Sequence, residues 1–257
     1  MNNKDFVLRD TEVDFFHTHG FLIIEDATVV EEVSKIRDVY DRLFSERAGR
    51  KDGNQYDLAG ADEEGKPAVL PQIVNPVSYA PELENLVFRK NSASIGKQLL
   101  GPDIEFQGEH AIMKPPEIGQ AAPWHQDEAY WGPTLNNQGI TCWMPFQDVN
   151  ANNGCMHFIK NGHKKGILKH TNPEQMQSDQ LICDIEDSVI ISCPIQVGSI
   201  TFHHSKMPHM TTANKTDKTR YALSQHFHTE SAKIDTKQQY NWKVIRTQIK
   251  DETTELY

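Results

Sequence analysis

Cysteine is scarce and scattered. The four cysteines are Cys142, Cys155, Cys183 and Cys193, none spaced C-x-x-C, and four in 257 residues make no disulfide framework. A reducing, cytoplasmic setting is the expectation. No apolar run approaches the ~20 residues that cross a bilayer. The first ten residues, MNNKDFVLRD, lack the apolar stretch of a signal peptide. Positive charge is also short: 26 Lys and Arg stand against 36 Asp and Glu, a net charge of −10. That argues against nucleic acid as the main partner, because phosphate binding wants a basic face. There is no internal repeat and no low-complexity segment. What remains is an ordinary globular composition, 37% hydrophobic and 24% charged. The length suits one large domain or two small ones, and nothing in the composition fixes an oligomeric state.

The chain divides near residue 103. Before it, hydrophobic spacing predicts helices. Thr11–His19 reads as a short helix capped by Asp10 or Thr11, with Val13, Phe15 and Phe16 on its apolar side and Gly20 at its end. Phe21–Ile24 is a buried strand. Thr28 caps a second helix carrying Val29, Val33, Ile36, Tyr40 and Leu43, with Glu31 completing a capping box. Residues 48–67 are polar and dotted with glycine, the pattern of a long surface loop. A third helix is expected from Pro81 to Leu100.

After residue 103, short apolar or alternating runs lie between Pro, Gly and Asn turns, at 104–114, 121–126, 140–148, 155–159, 188–192, 199–203, 207–212 and 220–228. Eight such strands predict an antiparallel double sheet, a jelly roll. The expected fold class is an all-β, cupin-like core with flanking α-helices. It forms a single domain over 1–257, with helices from about 8–100 packed on a core at about 103–230 and a polar tail at 232–257. Residues 162–187 read as an insertion.

Chemistry concentrates in Trp124-His125-Gln126-Asp127-Glu128-Ala129-Tyr130-Trp131. In an extended strand the side chains of residues 125 and 127 share a face, so both can reach one ion. An imidazole nitrogen and a carboxylate oxygen suit a mid-series divalent metal such as Fe(II). A third ligand is needed, and His203, His204 and His209 are candidates. A hairpin reversing between Asn214 and Lys215 would place residue 209 opposite residue 220, because 209 + 220 = 214 + 215. Opposed residues point to one face, which favours His209 and brings Arg220 beside it. A buried guanidinium needs an anion. No acid lies nearby in sequence, so a ligand carboxylate is the expected partner, with Thr211 on the same face to donate its hydroxyl. His204 would fall near Gln225 and is the second choice. His203 and His204 otherwise read as packing residues or as neighbours of the ligands.

These residues resemble the phytanoyl-CoA dioxygenase family of Fe(II)/2-oxoglutarate oxygenases. The resemblance rests on the WHQD block, Trp143-Met144-Pro145-Phe146-Gln147-Asp148, and Asn153-Gly154-Cys155-Met156 followed by Asn161-Gly162-His163. It continues with Gly198-Ser199, His209-x-Thr211-x-x-Asn214, and Arg220 eleven residues beyond His209 (220 − 209 = 11). Two departures, Gly198-Ser199 where the family has Gly-Asp and Asn161-Gly162-His163 where it has Gly-Ser-His, touch none of the ligands.

The resemblance implies a double-stranded β-helix holding Fe(II) by His125, Asp127 and His209. Arg220 and Thr211 would hold the distal carboxylate of 2-oxoglutarate, Trp143 would line its pocket, and Gln72 and His110 would make further cosubstrate contacts. O2 and 2-oxoglutarate would be consumed and a small-molecule substrate hydroxylated, whether an acyl-CoA ester, an amino acid derivative or a natural-product intermediate. The same site could instead desaturate, epoxidise or rearrange its substrate. A non-catalytic, metal-binding cupin-like protein is the competing class. Loops at 48–70, 128–138 and 162–187 would choose the substrate.

Overall fold

The structure is a computed structural model that describes residues 6–59, 65–131, 139–171, 180–185 and 188–229. The expected polar tail at 232–257 lies outside the described residues. Among the described residues, three helices of ten or more residues lie before residue 103: α1 (Asp10–His19), α2 (Val30–Ser45) and α3 (Val87–Leu100). A short α4 (Glu128–Trp131) follows the WHQD block. The strands are β1 (Phe21–Ile24), β2 (Gln55–Asp57), β3 (Pro71–Val74), β4 (Ile104–Lys114), β5 (Ala122–His125), β6 (Gly139–Pro145), β7 (Met156–Ile159), β8 (His170–Thr171), β9 (Ile182–Cys183), β10 (Ile190–Cys193), β11 (Ile200–His204), β12 (His209–Thr211) and β13 (Arg220–Thr229).

A seven-stranded sheet runs β1-β11-β6-β13-β4-β3-β2, and a four-stranded sheet runs β10-β7-β12-β5. Every registered strand pair in both is antiparallel. The expected double-stranded β-helix with helical cover is therefore present. Alternation builds the two faces of the larger sheet. Ile140, Cys142 and Met144 of β6, with Tyr221, Leu223 and Phe227 of β13, join Phe16, Ile36, Tyr40, Phe88 and Ile95 of the helices in one core. Their alternates, Thr141, Trp143, Arg220, Ser224 and His226, turn to the other face and line a cavity.

Several local expectations need correction. α1 is capped from Arg9, whose N–H reaches Glu12 Oε2 at 2.7 Å, and not from Asp10 or Thr11. Gly20 does end it, at φ 79°, where its lack of a Cβ removes the left-handed strain. α2 starts one residue later than predicted, so the acid at its third position is Glu32, not Glu31. The Glu32 carboxylate accepts from Thr28 Oγ1 (2.5 Å) and from the backbone N–H groups of Val87 (2.7 Å) and Phe88 (2.9 Å). Two otherwise orphaned donors are thereby satisfied at the start of α3. That is why α3 begins at Val87, while Pro81–Leu83 forms a separate 3-10 turn.

The N-terminal third is not purely helical, because β1, β2 and β3 all join the larger sheet. β2 lies inside the predicted 48–67 loop. It is held by Asp57, whose carboxylate takes the N–H groups of Val69 (2.8 Å) and Leu70 (2.9 Å). Strands of three or four residues carry too few alternations to read from sequence.

The largest correction concerns the turn after His209. β12 and β13 do not form a hairpin: β12 pairs with β5 and β7, whereas β13 pairs with β4 and β6. The turn-forming residues make a corner between sheets. Asn214 Nδ2 donates to the carbonyls of Lys114, Pro115 and Lys218 at 2.8–3.1 Å, pinning the crossing. His204 likewise pairs with Ile140 rather than lying near Gln225.

Candidate active site

His125 ends β5 and His209 begins β12, and the two are direct cross-strand partners. Asp127 lies beyond the strand, in the turn before α4, so the predicted shared strand face holds only as far as His125. The three side chains nevertheless converge. One ligand atom from each of His125, Asp127 and His209 lies within 4.8 Å of the others. Asp127 Oδ1 is 3.5 Å from His209 Nε2 and 3.9 Å from His125 Nε2.

Hydrogen bonds fix which atoms face inward. His125 Nδ1 donates to the Pro123 carbonyl (2.6 Å), and His209 Nδ1 to the Met207 carbonyl (2.8 Å). Each neutral ring is thus left with a lone pair on Nε2. Burial pushes both imidazoles below their ordinary pKa, His209 furthest. Burial alone would raise the Asp127 carboxyl, but nearby His209 and the hydrogen bond from His203 outweigh it and hold it well below the usual range.

Two nitrogens and one carboxylate oxygen therefore meet with no proton between them. Such a trio repels itself until a cation enters, and two imidazoles with one carboxylate are the donor set expected for Fe(II) with open positions. The outer oxygen, Asp127 Oδ2, accepts from Thr141 Oγ1 (2.5 Å) and His203 Nε2 (3.1 Å). That leaves Oδ1 turned toward the two imidazoles.

Gln126 sits between the two ligands and is fully buried. Its side chain donates to the carbonyls of Gly166 and Lys206 and accepts from the Leu168 N–H, while its own N–H reaches His170 Nε2 at 3.1 Å. Residues 166–170 thus clamp the backbone between His125 and Asp127. His170 is buried within that clamp.

At the other end of the cavity lies Arg220, 2% exposed, with Nε and Nη1 buried and lacking any hydrogen-bond partner. Burial lowers its pKa to about 9, so the guanidinium keeps its charge at neutral pH. Trp143 lies below it, 5.9 Å from Cζ to the ring centroid. Lys114, Arg220's partner across β4 and β13, is also fully buried. Its Nζ donates to Thr211 Oγ1 (2.8 Å), the Thr211 carbonyl (3.2 Å) and the Thr212 carbonyl (2.5 Å). With Oγ1 already accepting from lysine, the Thr211 hydroxyl proton is free to be donated elsewhere.

Arg220 and His209 thus reach one cavity from opposite sheets, not from neighbouring strands. Gln72 (β3) and His110 (β4) line it as well. Sequence reasoning missed Lys114, Thr141 and His226. Strand parity held the signal for Lys114, since residues 110, 112 and 114 share a face of β4.

Comparison with known proteins agrees with this geometry. The model of the family "Phytanoyl-CoA dioxygenase (PhyH)" matches residues 16–222. The chain belongs to the phytanoyl-CoA dioxygenase family. Among curated relatives, the peroxisomal phytanoyl-CoA dioxygenase of Mus musculus is 25% identical over 83% of this chain and 66% of its own length. The chain thus spans about two thirds of that protein. A probable alpha-ketoglutarate-dependent hypophosphite dioxygenase of Stutzerimonas stutzeri is also 25% identical, over 79% of this chain and 73% of that one. Among solved structures, EvdO2 from Micromonospora carbonacea var. aurantiaca complexed with 2-oxoglutarate superposes with a TM-score of 0.75 at 26% identity, covering 93% of this chain and 98% of that chain. Iron and 2-oxoglutarate are accordingly the groups the two ends of the cavity fit. Among the described residues, no helix is long and apolar enough to cross a membrane.

Proposed function

We propose that this family member is an Fe(II)/2-oxoglutarate-dependent oxygenase that hydroxylates a small organic molecule. The observation that carries the reading is the unpartnered Arg220 guanidinium in the same cavity as the His125–Asp127–His209 trio. A protein that only stores a metal has no use for a second, unsatisfied cation buried beside it, given what such burial costs.

His125 Nε2, His209 Nε2 and Asp127 Oδ1 would hold the metal. Arg220 and the Thr211 hydroxyl would take the distal carboxylate of 2-oxoglutarate over the Trp143 ring, with Gln72 nearby on the wall. Lys114 acts through Thr211, keeping its hydroxyl turned outward to donate. When bound, iron and 2-oxoglutarate activate O2 to oxidise a substrate C–H bond, with succinate and CO2 as by-products. The chain's own task is to orient the substrate over that centre and keep water away, in a cavity of about 360 Å³.

Anaerobic addition of Fe(II) and 2-oxoglutarate should give a weak visible charge-transfer band. Iron binding without that band would sink the oxygenase reading. Succinate release stimulated by candidate metabolites then separates hydroxylation from other oxidative outcomes through the products formed.

A further inference from the structure

The outer oxygen of Asp127 begins a hydrogen-bonded chain that runs away from the metal site across three strands. Thr141 Oγ1 (β6) lies 2.5 Å from Asp127 Oδ2, and His226 Nδ1 (β13) lies 3.0 Å from Thr141 Oγ1. His226 Nε2 lies 3.1 Å from His110 Nδ1 (β4), the two rings stacking at 5.0 Å. Directions follow from the fixed end. An ionised carboxylate only accepts, so Thr141 gives it its one proton. Thr141 Oγ1 must then accept from His226 Nδ1–H, which leaves His226 Nε2 a lone pair. His110 must donate from Nδ1, and its Nε2 is left without a proton. Burial pushes the His226 imidazole down to about 3 and that of His110 to about 4, so both rings are neutral under ordinary conditions.

We infer that His110 is a specificity-determining residue, whose Nε2 accepts a hydrogen bond from a substrate hydroxyl or N–H group. Among the described residues that atom has no partner, and His110 forms part of the cavity wall. Beyond it lie Gln72 and Tyr56, on strands farther from the metal trio. A carboxylate or phosphate oxygen would meet a lone pair there and be repelled. The tautomer thus points His110 toward the substrate, not toward the carboxylates of 2-oxoglutarate. Charge agrees: among the described residues lining the cavity, Arg220 is the one permanent cation, and 2-oxoglutarate claims it. The substrate class is therefore a neutral alcohol, amide or similar donor. A donor held at His110 has its position set, through three hydrogen bonds, by the same carboxylate that holds the metal. This inference rests on the oxygenase reading for the role of the cavity, but the tautomer does not.

The test is 15N NMR of histidine-labelled protein loaded with Zn(II), a diamagnetic stand-in, and 2-oxoglutarate. Nε2 of His110 and of His226 should resonate in the unprotonated range and their Nδ1 atoms in the protonated range. Thr141→Val should abolish that enforced pattern in His226. A protonated His110 Nε2 in the wild-type protein overturns the inference. As probes of class, cyclohexanol should shift the His110 Nε2 signal and cyclohexanone should not. An equal response to the two, or none to either, counts against the substrate assignment. The charge-transfer band, recorded separately with Fe(II), reports on the oxygenase reading alone, so the two can fail independently.

Discussion

The two ends of the cavity are incomplete in opposite senses. At one end, His125, His209 and Asp127 bring three lone pairs and a negative charge together, with no lysine or arginine among the described residues bonded to them. At the other, the Arg220 guanidinium faces no acid among the described residues, two of its nitrogens go unsatisfied, and burial with Arg220 alongside pushes the Lys114 amine well below its ordinary pKa. The four-stranded sheet supplies both histidine ligands from short strands; the seven-stranded sheet supplies Arg220, Lys114 and Trp143 from longer ones. The contrast is what the proposed reading requires of a site for two guests at once: a metal would complete the first end and a carboxylate the second. Neither end alone explains why the other is tolerated.

Breaking the metal end should have the largest effect. Asp127→Ala removes the one charged ligand, and turnover of 2-oxoglutarate should fall by more than roughly 100-fold, beyond what disturbing a ligand's neighbour costs. Succinate release at saturating Fe(II) measures this, and undiminished release would contradict the assignment. Breaking the cation end should act on cosubstrate affinity. Arg220→Ala should raise the 2-oxoglutarate Kd by at least ~30-fold, about 2 kcal/mol, as for a buried charged pair that loses a partner. The cosubstrate-free protein should behave oppositely: Arg220→Met should match or exceed the wild-type Tm, since it removes an unpaired buried charge. A Tm several degrees lower would mean that Arg220 has a structural partner and is not waiting for a ligand.

How far the sequence foretold this differs between the two ends. The converging trio was legible because His125 and Asp127 are two residues apart and His209 lies in a histidine-rich run. Arg220 was found through a hairpin that does not exist. The chain crosses between sheets at Asn214, and the residue reaches the cavity from the opposite layer. A corner and a hairpin use the same turn-forming residues, so local chemistry could not tell them apart. The 104–114 and 220–228 strands were legible because they are long enough to alternate. β2 and β3 were not, and Gln72 of β3 was pointed to by the family resemblance alone. Thr141 and His226 escaped because nothing in an isolated strand says which polar residues will meet across three others.

Sharpening the comparison calls for smaller changes. His203→Phe keeps a ring but removes one of two donors to Asp127 Oδ2, and iron affinity should fall by about 10-fold, with the 2-oxoglutarate dependence little changed once iron saturates. Lys114→Met should do the reverse, weakening 2-oxoglutarate through the freed Thr211 hydroxyl while leaving iron affinity alone. Equal losses of both ligands in either variant would mean that the two ends are not separable.

A further contrast concerns acid, which should reach His170 beside the metal end and not the Arg220 guanidinium. Arg220 holds its charge far below about 9, so lowering the pH from 7 to 5 leaves the guanidinium unaltered. The metal end leans on His170, which burial, with His125 nearby adding to it, pushes down to about 4 from an ordinary 6.5. His170 Nδ1 donates to the Leu168 carbonyl, and its Nε2 accepts from the Gln126 N–H between the two ligands. Protonation would set one N–H against another. Because the folded-state value is depressed, His170 contributes stability that is fully present above pH 6.5 and is lost as the pH falls toward 4. By pH 5 the loss should be about 2 kcal/mol at most, from 1.5 units at ~1.4 kcal/mol each. His170→Gln keeps an acceptor without the titration. Urea denaturation of the metal-free protein at pH 7.5 and pH 5 should then show a shallower decline in the variant than in the wild type. Parallel declines would mean that the Gln126 clamp plays no part in acid sensitivity.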